Sequence, residues 1–173
     1  MRPYIAPLLL MTLIFLVVPA TRGQDPASVV TEDTQIGAWL VRCVQGEEVA
    51  QGCFMATTAI NALEQRELAV MQVIRVDEWE RQGEEEFAAQ LTSPTNVNVR
   101  VGIDLQVDQS LLDTVPYEIC TVNNCITTFA ITPEMQSALE QGFAAALIFT
   151  DVGGQRISAT LSLDGFARGL EAL

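Results

Sequence analysis

The sequence predicts a mainly β protein: an antiparallel β-sandwich or partly open barrel with two short helices, one of them C-terminal. Three observations carry this expectation. From Val97 to Val107 the apolar residues Val97, Val99, Val101, Ile103, Leu105 and Val107 alternate strictly with polar residues or glycine, the period of a half-buried strand. The stretch from Tyr117 to Phe129 reads as two strands around a tight turn, with Asn123-Asn124 tolerating positive φ and a cysteine at each rim. Strand-like runs follow one another through turns, and no βαβ alternation appears.

The 173 residues hold one domain behind an export signal. Arg2 supplies a minimal positive start, and Ile5 to Val18 is almost unbroken apolar sequence. Val18-Pro19-Ala20 offers small residues for cleavage, so residues 1–20 read as a signal peptide, with a competing site after Gly23. The run is short for spanning a bilayer, and no second one follows, so no transmembrane segment is expected after signal removal. Residues 21–34 read as a flexible polar leader, and residues 35–173 as the domain.

Within the domain, Trp39, Val41 and Cys43 share one face of a first strand. An acidic loop, residues 45–52, leads to a return strand from Cys53 to Ile60. Glu67 to Val76 is nearly continuous apolar sequence, a strand covered on both faces. Residues 77–92 read as an acidic loop or short irregular helix with six acids and an isolated Trp79, the candidate aromatic anchor for a partner. Asp104 and Asp108 lie on one polar strand face, about 13 Å apart at the usual rise, too far to share one calcium ion, and read as surface charges. Residues 108–115 read as a turn region. Thr132-Pro133-Glu134 is a helix start, with Met135 and Leu139 on one face and Gly142 at the end. Two strands around Gly153-Gly154 follow, then a C-terminal helix that packs Phe166 and Leu170 on the sheet. The tally is eight strands and two helices.

The formal charge is −13, and loss of Arg2 with the signal leaves eight bases against 22 acids. All the bases are arginine. An acidic surface repels phosphate, which argues against nucleic acid and against an electrostatic hold on anionic lipid. The four cysteines, Cys43, Cys53, Cys120 and Cys125, form two close pairs behind an export signal, a disulfide framework for an oxidising compartment. Three connectivities exist; proximity favours Cys43 with Cys53 and Cys120 with Cys125. Neither spacing is C-x-x-C and the chain has no histidine, which disfavours thiolate metal sites and redox chemistry.

Without histidine or lysine, the usual nucleophile–base pairs and Schiff-base chemistry are absent. No phosphate-binding glycine motif appears, and no carboxylate pair is singled out for glycoside hydrolysis. No catalytic residue, metal or cofactor is therefore assigned, and a non-enzymatic protein is expected.

With these pieces in order, the chain from about residue 35 to its end resembles the invasion-associated locus B family of exported bacterial proteins. The resemblance rests on Gly37-Ala38-Trp39-Leu-Val-Arg-Cys43, Cys53-Phe54-Met55, the Tyr117…Cys120-x-x-x-x-Cys125 hairpin, and Leu161-Ser-Leu-Asp-Gly165-Phe166-Ala-Arg-Gly-Leu170. Asn124 stands where a glycine usually precedes the last cysteine, and the acidic segment 77–92 looks peculiar to this chain. The resemblance implies an envelope protein of a Gram-negative bacterium, periplasmic, secreted or outer-membrane-associated. It carries over no catalytic residues. The family's name links it to host-cell invasion and virulence. The expected role is a binding module for a protein or glycan in the envelope or on a host cell. A carboxylate-dependent hydrolase and a chaperone-like protein using an exposed strand edge are the alternatives.

Overall fold

The computed structural model describes residues 30–45, 52–76 and 85–173. In chain order these contain β1 (Val30–Ile36), β2 (Trp39–Gln45), β3 (Gly52–Asn61), β4 (Arg66–Arg75), β5 (Phe87–Ser93), β6 (Ile103–Val107), β7 (Ser110–Val115), β8 (Ile119–Cys120), β9 (Cys125–Ile131), α1 (Pro133–Gln141), β10 (Ala144–Thr150), β11 (Arg156–Ser162) and α2 (Phe166–Glu171). The strands form one antiparallel sheet in the order β7-β6-β10-β11-β3-β4-β5-β9-β8, with β2 and then β1 branching from β3.

The sheet is curled into a half-barrel and does not divide into the two layers of a sandwich. The long strand β3 is the reason. One of its edges pairs with β2 along residues 52–56, then meets β11 where Ile60 faces Thr160, and the β3–β4 register shifts between Ala59 and Ile60. A bulge there bends the strand and raises its twist, so the sheet continues round the corner. Residues 116–118 connect β7, at one end of the path, to β8 at the other. The two margins are thus joined by chain rather than by a ladder.

The concave face carries the core. Trp39 and Val41, Met55 and Ala59, Met71 and Val73, Leu105, and Leu147 and Phe149 alternate inward from their strands and are buried. α2 covers part of this face: the Phe166 ring meets Trp39 edge-on at 5.2 Å, and Leu170 is buried beside it. Arg75 reaches the Leu170 carbonyl (3.4 Å) from the end of β4. At α1 the Thr132 hydroxyl accepts from the Met135 N–H, Pro133 opens the helix, and Met135 and Leu139 are buried, as the sequence predicts.

Three strands are absent from the sequence reading. Residues 30–34, expected in the leader, belong to β1, which pairs with β2 along its whole length; residues 1–29 lie outside the described residues. β5 lies inside the expected acidic loop. Phe87, Ala89, Leu91 and Ser93 are buried there between Ala88, Gln90 and Thr92, so the strand has period two but is built from weak β formers. Residues 110–115, expected as a turn, form the edge strand β7. Conversely, the alternating run from Val97 is a strand only from Ile103. Gly102 takes φ +82°, and Val99 and Val101 are about half exposed in a loop tied to the barrel by the Val97–Asp151 bridge.

Both disulfides join residues directly opposite each other on neighbouring strands, Cys43 with Cys53 and Cys120 with Cys125, each at Cα–Cα 4.0 Å. The second holds β8, only two residues long, onto β9. In the loop-entropy account a bridge over so short a loop contributes about 2 kcal/mol. Cys120→Ser is therefore expected to lower the melting temperature of the oxidised protein by about 5 °C, as scanning calorimetry would read it. Coincident melting of mutant and wild type would contradict the clamp.

Candidate interaction surface

The outer face of the half-barrel is set by the same alternation that builds the core. Where odd positions of β3, β4, β5 and β9 point inward, even positions point out. They line up in three cross-strand rows: Phe54–Ile74–Ala88–Ala130, Ala56–Gln72–Gln90–Thr128, and Thr58–Val70–Thr92–Ile126. None of these twelve positions is charged, on a chain whose net charge is −13. The first charged neighbours are Arg42 and Asp33 across β2 and β1, where the guanidinium donates two hydrogen bonds of 2.7 Å to the carboxylate and holds the Asp33 pKa below its usual value.

A groove of about 330 Å³ lies in this face, lined by Phe54, Ile74, Ala88, Ala89, Gln72, Gln90 and Thr128. The alanines leave the depression, and Phe54 and Ile74 wall it. The Gln90 amide donates to the Gln72 carbonyl oxygen at 3.4 Å. That leaves the Gln72 amide N–H groups and the Gln90 carbonyl oxygen unused within the pair, one donor group and one acceptor.

Three of the described aspartates are committed to structural contacts. Asp104 accepts from Arg156 at 2.7 Å and from the Thr114 hydroxyl at 2.8 Å, bracing β6 against β7. Asp108 accepts from the N–H groups of Phe143 and Ala144 and ties the β6–β7 turn to β10. These two expected surface charges are structural hydrogen-bond acceptors. Asp151 closes the β10–β11 turn on the Gln155 N–H. Among the described residues no three His, Cys, Asp or Glu side chains gather where they could hold a metal ion.

Tyr117 sits where the chain crosses from β7 to β8. Burial pushes its phenol up to about 12; Ser93 offsets this in part, although the Ser93 hydroxyl itself donates to the Cys125 carbonyl at 3.4 Å and the phenol oxygen is buried without a hydrogen-bond partner. The folded state thus holds the proton more tightly than the unfolded chain, which ionises near 10. Stability is expected to fall as the pH rises from about 10 to about 12 and to level off above. The chain's other tyrosine, Tyr4, lies in the expected signal peptide. In protein cut after Ala20 or Gly23, absorbance at 295 nm reports Tyr117 alone, and its midpoint should drop towards 10 on addition of denaturant.

The margins of the sheet are blunted. Residues 31–35 of β1 are exposed, and Glu32 stands opposite Cys43 on the concave side. An inward-pointing charge at an edge discourages another strand from pairing there. β7 carries a register shift between Leu105 and Gln106 of its partner strand, and its Thr114 N–H is taken by the Asp113 carboxylate. Trp79, the sequence-predicted anchor, lies outside the described residues, while the four cysteines are placed as above.

A curled antiparallel sheet, stapled by two local disulfides and bearing a charge-free outer face, defines a small disulfide-stabilised β half-barrel. The disulfides fit an extracytoplasmic protein, and no helix among the described residues is long and apolar enough to cross a membrane. Residues 39–173 match the family described as Invasion associated locus B (IalB) protein, and the chain belongs to that family. Among solved structures it is similar to invasion associated protein B from Bartonella henselae, at 23% identity and TM-score 0.65, over 83% of this chain and 93% of that one. At that identity the likeness shows a shared fold. No curated protein matches the sequence.

Proposed function

We propose that this chain is a non-enzymatic interaction module of the bacterial envelope, exported through its N-terminal signal and acting by binding a protein or glycan partner. The observation that carries the reading is the charge-free outer face of β3, β4, β5 and β9 with its groove. On a protein this acidic, solubility favours charge on every exposed surface, and a continuous uncharged face over four strands is what a docking surface needs. The commitment of Asp104, Asp108 and Asp151 to structural hydrogen bonds weighs against a hydrolase built on those acids. The blunted margins weigh against a chaperone-like role by strand addition. The family's name, and that of its Bartonella henselae member, make a host-cell surface one place where the partner could reside.

Trp79 belongs to this reading as an aromatic anchor, since aromatic side chains dominate interface energetics. The test is cross-linking in the intact envelope with the captured partner identified, followed by titration of that partner. Trp79→Ala is expected to weaken binding about tenfold or more, at unchanged melting temperature. Undiminished binding would remove Trp79 from the interface.

A further inference from the structure

We infer that the outer-face groove is a docking site for an extended peptide segment that presents an apolar side chain between basic residues. This rests on the interaction-module reading and names the kind of partner.

The groove selects its occupant by three features. Its volume, about 330 Å³, stands at the low end of the roughly 300–1,000 Å³ of small-ligand sites. It suits one or two apolar side chains and is too small for a folded element. Its walls, Phe54 and Ile74, are apolar, and Ile74 is 47% exposed. Beside them stand the donor and acceptor groups that the Gln72–Gln90 pair leaves unused, at the next cross-strand position. A peptide backbone offers one N–H and one C=O per residue, and that paired donor and acceptor match it, as the apolar wall matches a side chain.

Charge supplies the third feature. The row Phe54–Ile74–Ala88 lies near the end of the sheet where β2 leaves for β3 and β4 leaves for β5. By sequence those two connections, residues 46–51 and 77–86, carry eight acids against Arg81 alone. Among the described residues, Phe54 faces Arg42, whose charge is paired with Asp33, and Glu86 is paired with Arg75 at 3.7 Å. A neutral groove on a chain of net charge −13 attracts a segment whose apolar residue is flanked by lysine or arginine, and it repels an acidic one.

The experiment uses oxidised protein purified from its native cell and two fluorescent peptides of equal charge, one alternating arginine with leucine and one alternating arginine with serine. Fluorescence anisotropy at moderate salt is expected to show the leucine peptide binding at least tenfold more tightly. Ala88→Arg, which fills the groove from a solvent-facing strand position, should abolish that advantage, and Ile74→Thr should reduce it, both at unchanged melting temperature. Equal binding of the two peptides overturns the inference, because charge alone would then be the cause. So does an Ala88→Arg protein that keeps the preference. Binding of a neutral acyl detergent at the groove, with neither peptide bound, assigns it to a lipid chain and overturns the inference too. If the peptides fail while cross-linking in the envelope still captures a partner, the peptide groove falls and the interaction module stands; if both fail, both fall.

Discussion

Replacing Gly165 by alanine is expected to lower the melting temperature of the oxidised protein by about 10 °C. Gly165 sits at φ +88° immediately before α2, and a Cβ there would stand 2.7 Å from the Ile36 carbonyl carbon and 3.1 Å from the Gly37 Cα. Gly37 answers it from the β1–β2 turn at φ +60°, where a Cβ would lie 2.7 Å from the Asp164 carbonyl carbon. The neighbouring Ala38 N–H donates to the Asp164 carbonyl at 2.9 Å. Two backbones thus pass in contact, and this contact fixes the N-terminal hairpin to the helix that caps the core. Left-handed strain costs about 1–2 kcal/mol, and forcing the backbones apart adds about 1–3 kcal/mol. For a domain of this size each kcal/mol moves the melting temperature by about 2–4 °C. Gly154 is the control: it also has positive φ (+83°), but a Cβ there would meet nothing within 4 Å, so its alanine variant should lose only the strain.

Trp39→Ala should cost about 3–5 kcal/mol and is expected to leave the protein unfolded or poorly folded at 37 °C. Trp39 is wholly buried, stacks edge-on against Phe166, and stands at the junction of β2 with the concave core. Its indole N–H has no hydrogen-bond partner among the described residues. Trp39→Phe keeps most of the ring contact and removes that unpaired donor, whose burial costs about 1–3 kcal/mol. The phenylalanine variant should therefore stay within about 1.5 kcal/mol of the wild type in chemical denaturation. A phenylalanine variant as unstable as the alanine one would show that the indole's shape, and not its burial, is decisive.

The elements legible in the sequence are those in which period and residue type agree. The strands around Trp39, Cys53 and Leu161 and the helix begun by Thr132-Pro133 are of this kind. The local cysteine pairing followed from the same reasoning, since a short hairpin places its rims opposite each other. What sequence pattern missed depends on the neighbouring strands that each segment finds. β5 holds Ala88, Ala89, Gln90 and Ser93 among its seven residues and becomes a strand because β4 and β9 pair with it on both sides. β1 is polar from Thr31 to Gln35 and is a strand by pairing with β2. The Val97–Val101 run has a faultless alternation but no neighbouring strand along most of its length, so alternation alone did not suffice. The groove was hidden for a related reason. Phe54, Ile74 and Ala88 lie on three strands, and only the register brings them into one row. The signal available in advance was the absence of charge at alternate positions in those strands.

The most direct test of the account is residue-specific photo-cross-linking in living cells, with the photoreactive side chain placed in turn at Ile74, Thr128 and, on the opposite margin, Thr31. The account predicts one discrete adduct from Ile74 and Thr128, none from Thr31, and loss of the adduct on adding Ala88→Arg. Adducts from Thr31 alone, or equal labelling from all three positions, would contradict docking at the groove between β3, β4 and β5.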